Sequence, residues 1–113
     1  MKSTLNKNMV YINCKEIEVE GTDCKAKIRV ANCEDGYRAV CNYEYKMCGH
    51  GSPVTPDIEP HPTERETIAN AIEERLKSII NRQGVKKQKE IVCLLYQLLQ
   101  EYNQLELFED EKY

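Results

Sequence analysis

No stretch of this 113-residue chain holds about 18 consecutive apolar residues, so no membrane-spanning helix is expected. Residues 1–9 are polar and lack the apolar core of an export signal, which points to the cytoplasm. Six cysteines are present (Cys14, Cys24, Cys33, Cys41, Cys48 and Cys93), yet no two form a Cys-x-x-Cys pair. Without an export signal they are read as reduced thiols acting as small hydrophobes, not as a disulfide framework. The phosphate loop ending Gly-Lys-Ser/Thr is missing, and so is the six-position dinucleotide fingerprint. No cofactor is therefore expected. A formal net charge of −3 rules out a whole-protein basic field for steering onto nucleic acid. There is no internal repeat and no low-complexity tract.

What is present first is strand patterning. In residues 36–49, Tyr37, Ala39, Cys41, Tyr43, Tyr45 and Met47 alternate with Arg38, Asn42, Glu44 and Lys46. This period of two marks a strand with one wet and one dry face, Val40 being the exception on the wet side. Upstream, Val10, Ile12 and Cys14 share one parity, while Ile17 and Val19 take the other. A bulge or bend near residues 14–16 is expected from that switch. Gly21-Thr22-Asp23 is turn chemistry. A hairpin closed there sets Glu20 opposite Lys25, Glu18 opposite Lys27 and Glu16 opposite Arg29. The same register sets Val19 opposite Ala26 and Ile17 opposite Ile28. Each such pair contributes only about 0.2–1 kcal/mol, so it is their agreement that selects the register. Asp35-Gly36 closes a second hairpin with two registers open. One places Lys25 opposite Glu44 and Asp23 opposite Lys46; the other places Lys27 opposite Glu44.

Residues 48–62 have no period and hold all four prolines and both histidines. A loop of this length is often functional. Thr63-Glu-Arg-Glu66 is a capping box. The helix it opens carries Ile68, Ala69, Ile72, Leu76, Ile79 and Ile80 on one face and is expected to stop at Gly84. A second helix is expected from Lys86 to Gln104, with an acidic tail at 106–113 that frays. The chain is read as one domain, with an antiparallel sheet at 8–48, a Gly/Pro-rich loop at 49–62 and two helices at 63–105. The fold class is α+β: a three-stranded antiparallel meander, four-stranded if the first strand is split, followed by two helices packed on one sheet face. The expected core is Ile12, Ile17, Val19, Ala26, Ile28, Val30, Cys41, Tyr43, Tyr45, Ile68, Ile72, Leu76, Ile79, Leu95 and Leu98.

Candidate chemistry is thin. Cys48, His50 and His61 have the ligand types for zinc, with Asp57, Glu59 or Cys41 as a fourth, but Cys-x-His is not a standard knuckle spacing. The expectation is a loop without metal. Gly49-His50-Gly51-Ser52 resembles a phosphate cradle only in composition, and a turn needing positive φ is the preferred reading. Cys48 with His50, or Ser52 with His50 and Asp57, has the residue types for nucleophilic catalysis, yet spacing in a loop supplies no geometry, and no enzyme is expected. Arg75, Lys77, Arg82, Lys86, Lys87 and Lys89 gather near the inter-helix turn, which makes a nucleic-acid contact the alternative reading. No aromatics interleave with them to stack bases. The second helix carries an apolar arc wider than the usual core stripe of about 100°. Val92, Tyr96 and Leu99 form one edge of it, and a leftover stripe there marks a homodimer or partner surface.

Asp35-Gly-Tyr-Arg, Tyr43-Glu-Tyr, Gly49-His-Gly-Ser-Pro and Thr63-Glu-Arg-Glu-Thr-Ile-Ala-Asn-Ala together resemble a small strand–loop–helix module of phage and bacterial mobile-element proteins. The resemblance covers residues 35–80. It implies a small protein that binds and blocks a larger machine, such as a CRISPR effector or another bacterial defence complex. The expected function is a non-enzymatic protein-interaction module. The alternatives are a nucleic-acid-binding accessory protein and a zinc-braced loop protein.

Overall fold

The computed structural model describes residues 2–45, 48–87 and 89–111, with side chains at 2–45, 51–82 and 89–102. The elements are β1 (Thr4–Leu5), β2 (Tyr11–Ile12), β3 (Lys15–Glu20), β4 (Cys24–Cys33), β5 (Gly36–Tyr45), β6 (Cys48–His50), α1 (Glu64–Lys87) and α2 (Lys89–Glu111). The sheet is four-stranded and antiparallel in the order β3-β4-β5-β6, and β1 and β2 pair separately. The class is α+β, with a fourth strand drawn from the start of the glycine-rich segment.

The first hairpin takes the register its charges dictate. Glu16 faces Arg29, Glu18 faces Lys27 and Glu20 faces Lys25, with Ile17 on Ile28 and Val19 on Ala26. In the second hairpin Lys25 faces Glu44, which selects the first of the two open registers. The companion pair of Asp23 with Lys46 lies outside the described residues. Gly36 closes this turn at φ 136°, a conformation L side chains rarely adopt. A Cβ there would also sit 2.7 Å from the His61 carbonyl oxygen.

The parity switch before β3 is a bend at Asn13, whose φ is 60°. Asparagine enters this left-handed region more readily than most residues. The bend overturns one expectation. Val10, Ile12 and Cys14 do not line a shared core face, and Ile12 is 44% exposed. Instead Tyr11 turns inward, and its amide donates to the Val54 carbonyl at 2.9 Å.

Gly84 does not end α1, which runs on to Lys87, and α2 begins at Lys89 instead of Lys86 and extends to Glu111. A glycine in a helix interior costs about 1 kcal/mol relative to alanine, too little to break a helix whose upstream face is well buried. The start of α1 is as expected: the Glu66 amide donates to the Thr63 hydroxyl at 3.2 Å.

The main core lies between the sheet and the helices. Cys24, Ala26, Ile28 and Val30 of β4 and Ala39 and Cys41 of β5 meet Ile68, Ala71, Ile72, Leu76 and Ile79 of α1. Ile91, Val92, Leu95 and Leu98 of α2 complete it. A second, smaller core covers the other face at one end of the sheet. There Ala31, Cys33 and Val54 are buried, with Tyr11, Cys14, Val40 and Ile58 packed around them. The meander is therefore dry on both faces at that end, which accounts for Val40 on the nominally wet side.

Candidate interaction surface

Position along α2 decides which of its apolar residues remain available. Ile91, Leu95 and Leu98 point into the core. Val92 is only 4% exposed, so the structure removes it from any surface. Leu99 and Leu94 are half-buried and pack against the same cluster. Tyr96 remains outside, at 50% exposure. Leu105, at the other edge of the expected stripe, lies outside the residues with described side chains. Of the three expected partner-binding residues, one is core, one is a shoulder and one is free.

The outward face of α2 has a chemistry the apolar pattern did not single out. Cys93, Tyr96, Gln97 and Gln100 are exposed, and residues 91–100 contain no charge at all. The outer face of α1 differs: Glu73, Glu74, Lys77 and Arg82 are exposed. Since 31% of the chain is charged, ten uncharged residues with an exposed tyrosine, between exposed Lys89 and Glu101, are a local departure. Charge depletion with an aromatic is the compositional mark of an interface core. Beside this face, an open groove of about 630 Å³ is lined by the charged Glu20, Lys89 and Glu90 as well as by Tyr45, Cys93 and Leu94. Glu90 anchors the helix start there by accepting the Asp23 amide at 3.0 Å.

The basic candidates differ in their surroundings. Arg75 donates from Nε to the Cys41 carbonyl at 2.7 Å and lies over the Tyr43 ring at 5.9 Å, so its guanidinium binds helix to sheet. Lys77 pairs with Glu73 at 3.6 Å. Arg82 and Lys89 are exposed, and the side chains of Lys86 and Lys87 lie outside the described residues.

The loop candidates divide similarly. The side chains of Cys48 and His50 lie outside the described residues. His61 is half-buried, with its backbone exchanging hydrogen bonds with Tyr37 at 2.8 and 2.9 Å. Among the described residues no three His, Cys, Asp or Glu side chains gather to hold an ion. Cys41 lies in the main core at 2% exposure, and burial pushes its thiol up to about 12. Asp57 accepts from the Thr55 hydroxyl. The glycine segment is not a phosphate cradle. Gly49 pairs with Glu44 in β6, and the Ser52 amide is taken by Asn42 Oδ1 at 2.9 Å. Gly51 does not have positive φ, so the conformation expected of it is not adopted.

One buried charge escaped the sequence reading. Arg38 is 7% exposed beneath the loop. It donates to Asp35 Oδ1 at 2.7 Å and Oδ2 at 3.0 Å, and from Nε to the Ile58 carbonyl at 2.7 Å. Its guanidinium carbon lies 5.7 Å from the centre of the Tyr11 ring. With these donors engaged, the arginine fastens the loop to the sheet.

Comparison with known proteins finds no matching family model, no matching curated protein and no matching solved structure. Among the described residues no helix is long and apolar enough to cross a membrane.

Proposed function

We propose that the protein is a non-enzymatic protein-interaction module that presents the outward face of α2 to a protein partner. The observation that carries this reading is the uncharged run at 91–100, which leaves Cys93 and Tyr96 exposed beside Gln97 and Gln100. The adjoining groove beside Leu94 and Tyr45 offers a recess for a partner side chain. Aromatic anchors next to recesses are where binding energy concentrates. A blocker of a bacterial defence complex, such as a CRISPR effector, is the setting we propose for it, supported by the resemblance of residues 35–80. A second copy of the chain is one partner that would cover the face. The nucleic-acid alternative is less well supported, because Arg75 is engaged within the fold.

Affinity capture with the wild-type protein and with the Tyr96→Lys/Gln100→Lys double variant tests the reading. The expected result is a stoichiometric protein complex that survives nuclease treatment and is lost in the variant. Light scattering of the purified chain separates a homodimer from a different partner. A complex unaffected by the two lysines, or one released by nuclease, would overturn the proposal.

A further inference from the structure

Among the described residues the sheet ends at β3, which is paired on one side only, with β4, in the order β3-β4-β5-β6. Its six consecutive pairs contain no bulge and no proline. The helices pack chiefly on β4 and β5, and α1 reaches β3 through the Lys15–Glu64 ion pair at 2.8 Å, at one end of the edge. The free edge has a defined set of hydrogen-bonding groups. The Gly21 amide donates to the Cys24 carbonyl at 2.7 Å, so the pair at the turn is a hydrogen-bonded one. Antiparallel pairs alternate from there. Lys15, Ile17 and Val19 therefore bond to β4, and the amides and carbonyls of Glu16, Glu18 and Glu20 point away from the sheet.

The side chains decide what can pair with that edge. On the helix side, Ile17 and Val19 are half-buried fringes of the main core. On the other side stand three carboxylates. Glu16 pairs with Arg29 at 3.0 Å and Glu18 with Lys25 at 3.5 Å, while Glu20 has no ion pair among the described residues. A second copy is a poor occupant. In a two-fold pairing of two β3 edges, residues of like parity face each other, so glutamate always faces glutamate. Like charges directly opposite are destabilising. The edge is thus defended against itself, as exposed edges commonly are. The defence fails against a strand of opposite pattern, and β4 shows what that pattern is: Lys25, Lys27 and Arg29 facing these glutamates, with Ala26 and Ile28 facing Val19 and Ile17.

We propose that the open edge of β3 docks an extended segment of a partner protein that alternates Lys or Arg with apolar residues. Backbone hydrogen bonds to Glu16, Glu18 and Glu20 extend the sheet by one strand. The basic side chains lie beside the three carboxylates, and the apolar ones cover Ile17 and Val19. This is recognition by strand addition. The β3 edge meets the groove beside α2 at Glu20, so variants at Glu18 on the edge and at Tyr96 and Gln100 on α2 test the two surfaces apart.

The test uses a fluorescein-labelled peptide, Lys-Val-Lys-Val-Arg-Val-Lys, titrated with the full chain and read by anisotropy. A peptide of the same composition with the basic residues blocked together, Lys-Lys-Lys-Arg-Val-Val-Val, is the control. The expected result is binding of the alternating peptide at least tenfold tighter than of the blocked one. Amide exchange followed by NMR should show Glu16, Glu18 and Glu20 protected on binding, while Ile17 and Val19 are protected already. Glu18→Pro removes one outward amide and no ladder bond, and should weaken binding at least tenfold with an unchanged circular dichroism spectrum. If that variant does not fold, the exchange measurement on the wild type decides. Equal affinity for the two peptides, no binding at millimolar peptide, or unchanged exchange at the three glutamate amides would overturn the proposal.

Discussion

Truncating Val54 to alanine tests whether the proline-rich segment is a structural cover or a loose connection. Val54 has no solvent-exposed surface. It is packed with Ala31 and Cys33 on the sheet and is ringed by Tyr11, Val40 and Ile58. Val54→Ala removes two methylene equivalents, about 1.6 kcal/mol of burial at roughly 0.8 kcal/mol each. Ala31 is too short to swing into the space, and Tyr11 is held over Arg38, so a residual cavity adds to the loss. The expected cost is about 2–3 kcal/mol, or on the order of 10 °C in melting temperature for a domain of this size. Urea unfolding followed by circular dichroism should show the midpoint falling at constant slope. Ile12→Ala, at a site read from the pattern as core but found exposed, is the matched control. It should change stability by less than about 0.5 kcal/mol. The reasoning fails if Val54→Ala is as mild as Ile12→Ala, because the segment would then not be docked on the sheet.

Three shorter predictions follow from other parts of the fold. Gly84→Ala should stabilise the protein by roughly 0.5–1 kcal/mol, since α1 continues through this position; a loss of stability would mean that a glycine conformation is required there. Alkylation of the native protein, mapped by mass spectrometry, should modify exposed Cys93 well before Cys24 or Cys41, whose thiols are pushed up to about 11 and about 12, chiefly by burial; prior modification of Cys41 would contradict its place in the core. The Arg38 guanidinium holds the Asp35 carboxyl below its usual range, so this pair's stabilisation is full above the unfolded carboxyl's pKa and lost as pH falls through the lowered folded value. Asp35→Asn should therefore reduce the stability difference between neutral and acidic pH, and an unchanged acid limb would remove Asp35 from the linkage.

The first hairpin was legible because independent signals agreed on it. Three opposite-charge pairs, two apolar pairs and a turn at Gly21 all select one register, and a slip of one residue would turn each glutamate to the helix side. The start of α1 was legible for a similar reason, since Thr63 and Glu66 make a cap of known geometry. The ends of the helices were not. A glycine reads as a stop when only local propensity is considered, yet propensity differences of about 1 kcal/mol yield to packing. The candidate surface was half legible. The width of the apolar arc on α2 exceeds a core stripe, but periodicity does not tell which edge the core takes. Val92 was covered, and Tyr96, next in the arc, was left out.

The covered back face shows where such a signal can be found. Val54 and Ile58 lie in a segment with no period, so nothing in the segment itself names them as core. The information sits on the strands they cover. Ala31, Cys33 and Val40 occupy positions that share a face with Lys25, Lys27 and Arg29 by strict alternation. One face thus changes from basic to apolar along the length of β4. A sheet end that is apolar on both faces needs a second cover. The helices already occupy the other face, which leaves residues 51–60 and the β1–β2 hairpin to supply it. Arg38 follows from the same geometry. Placed on the newly buried face, its charge must be paired, and Asp35, three residues before it across the turn, is the nearest carboxylate the chain provides. A change of polarity along one face of a strand therefore implies both a docked loop and a paired charge beneath it.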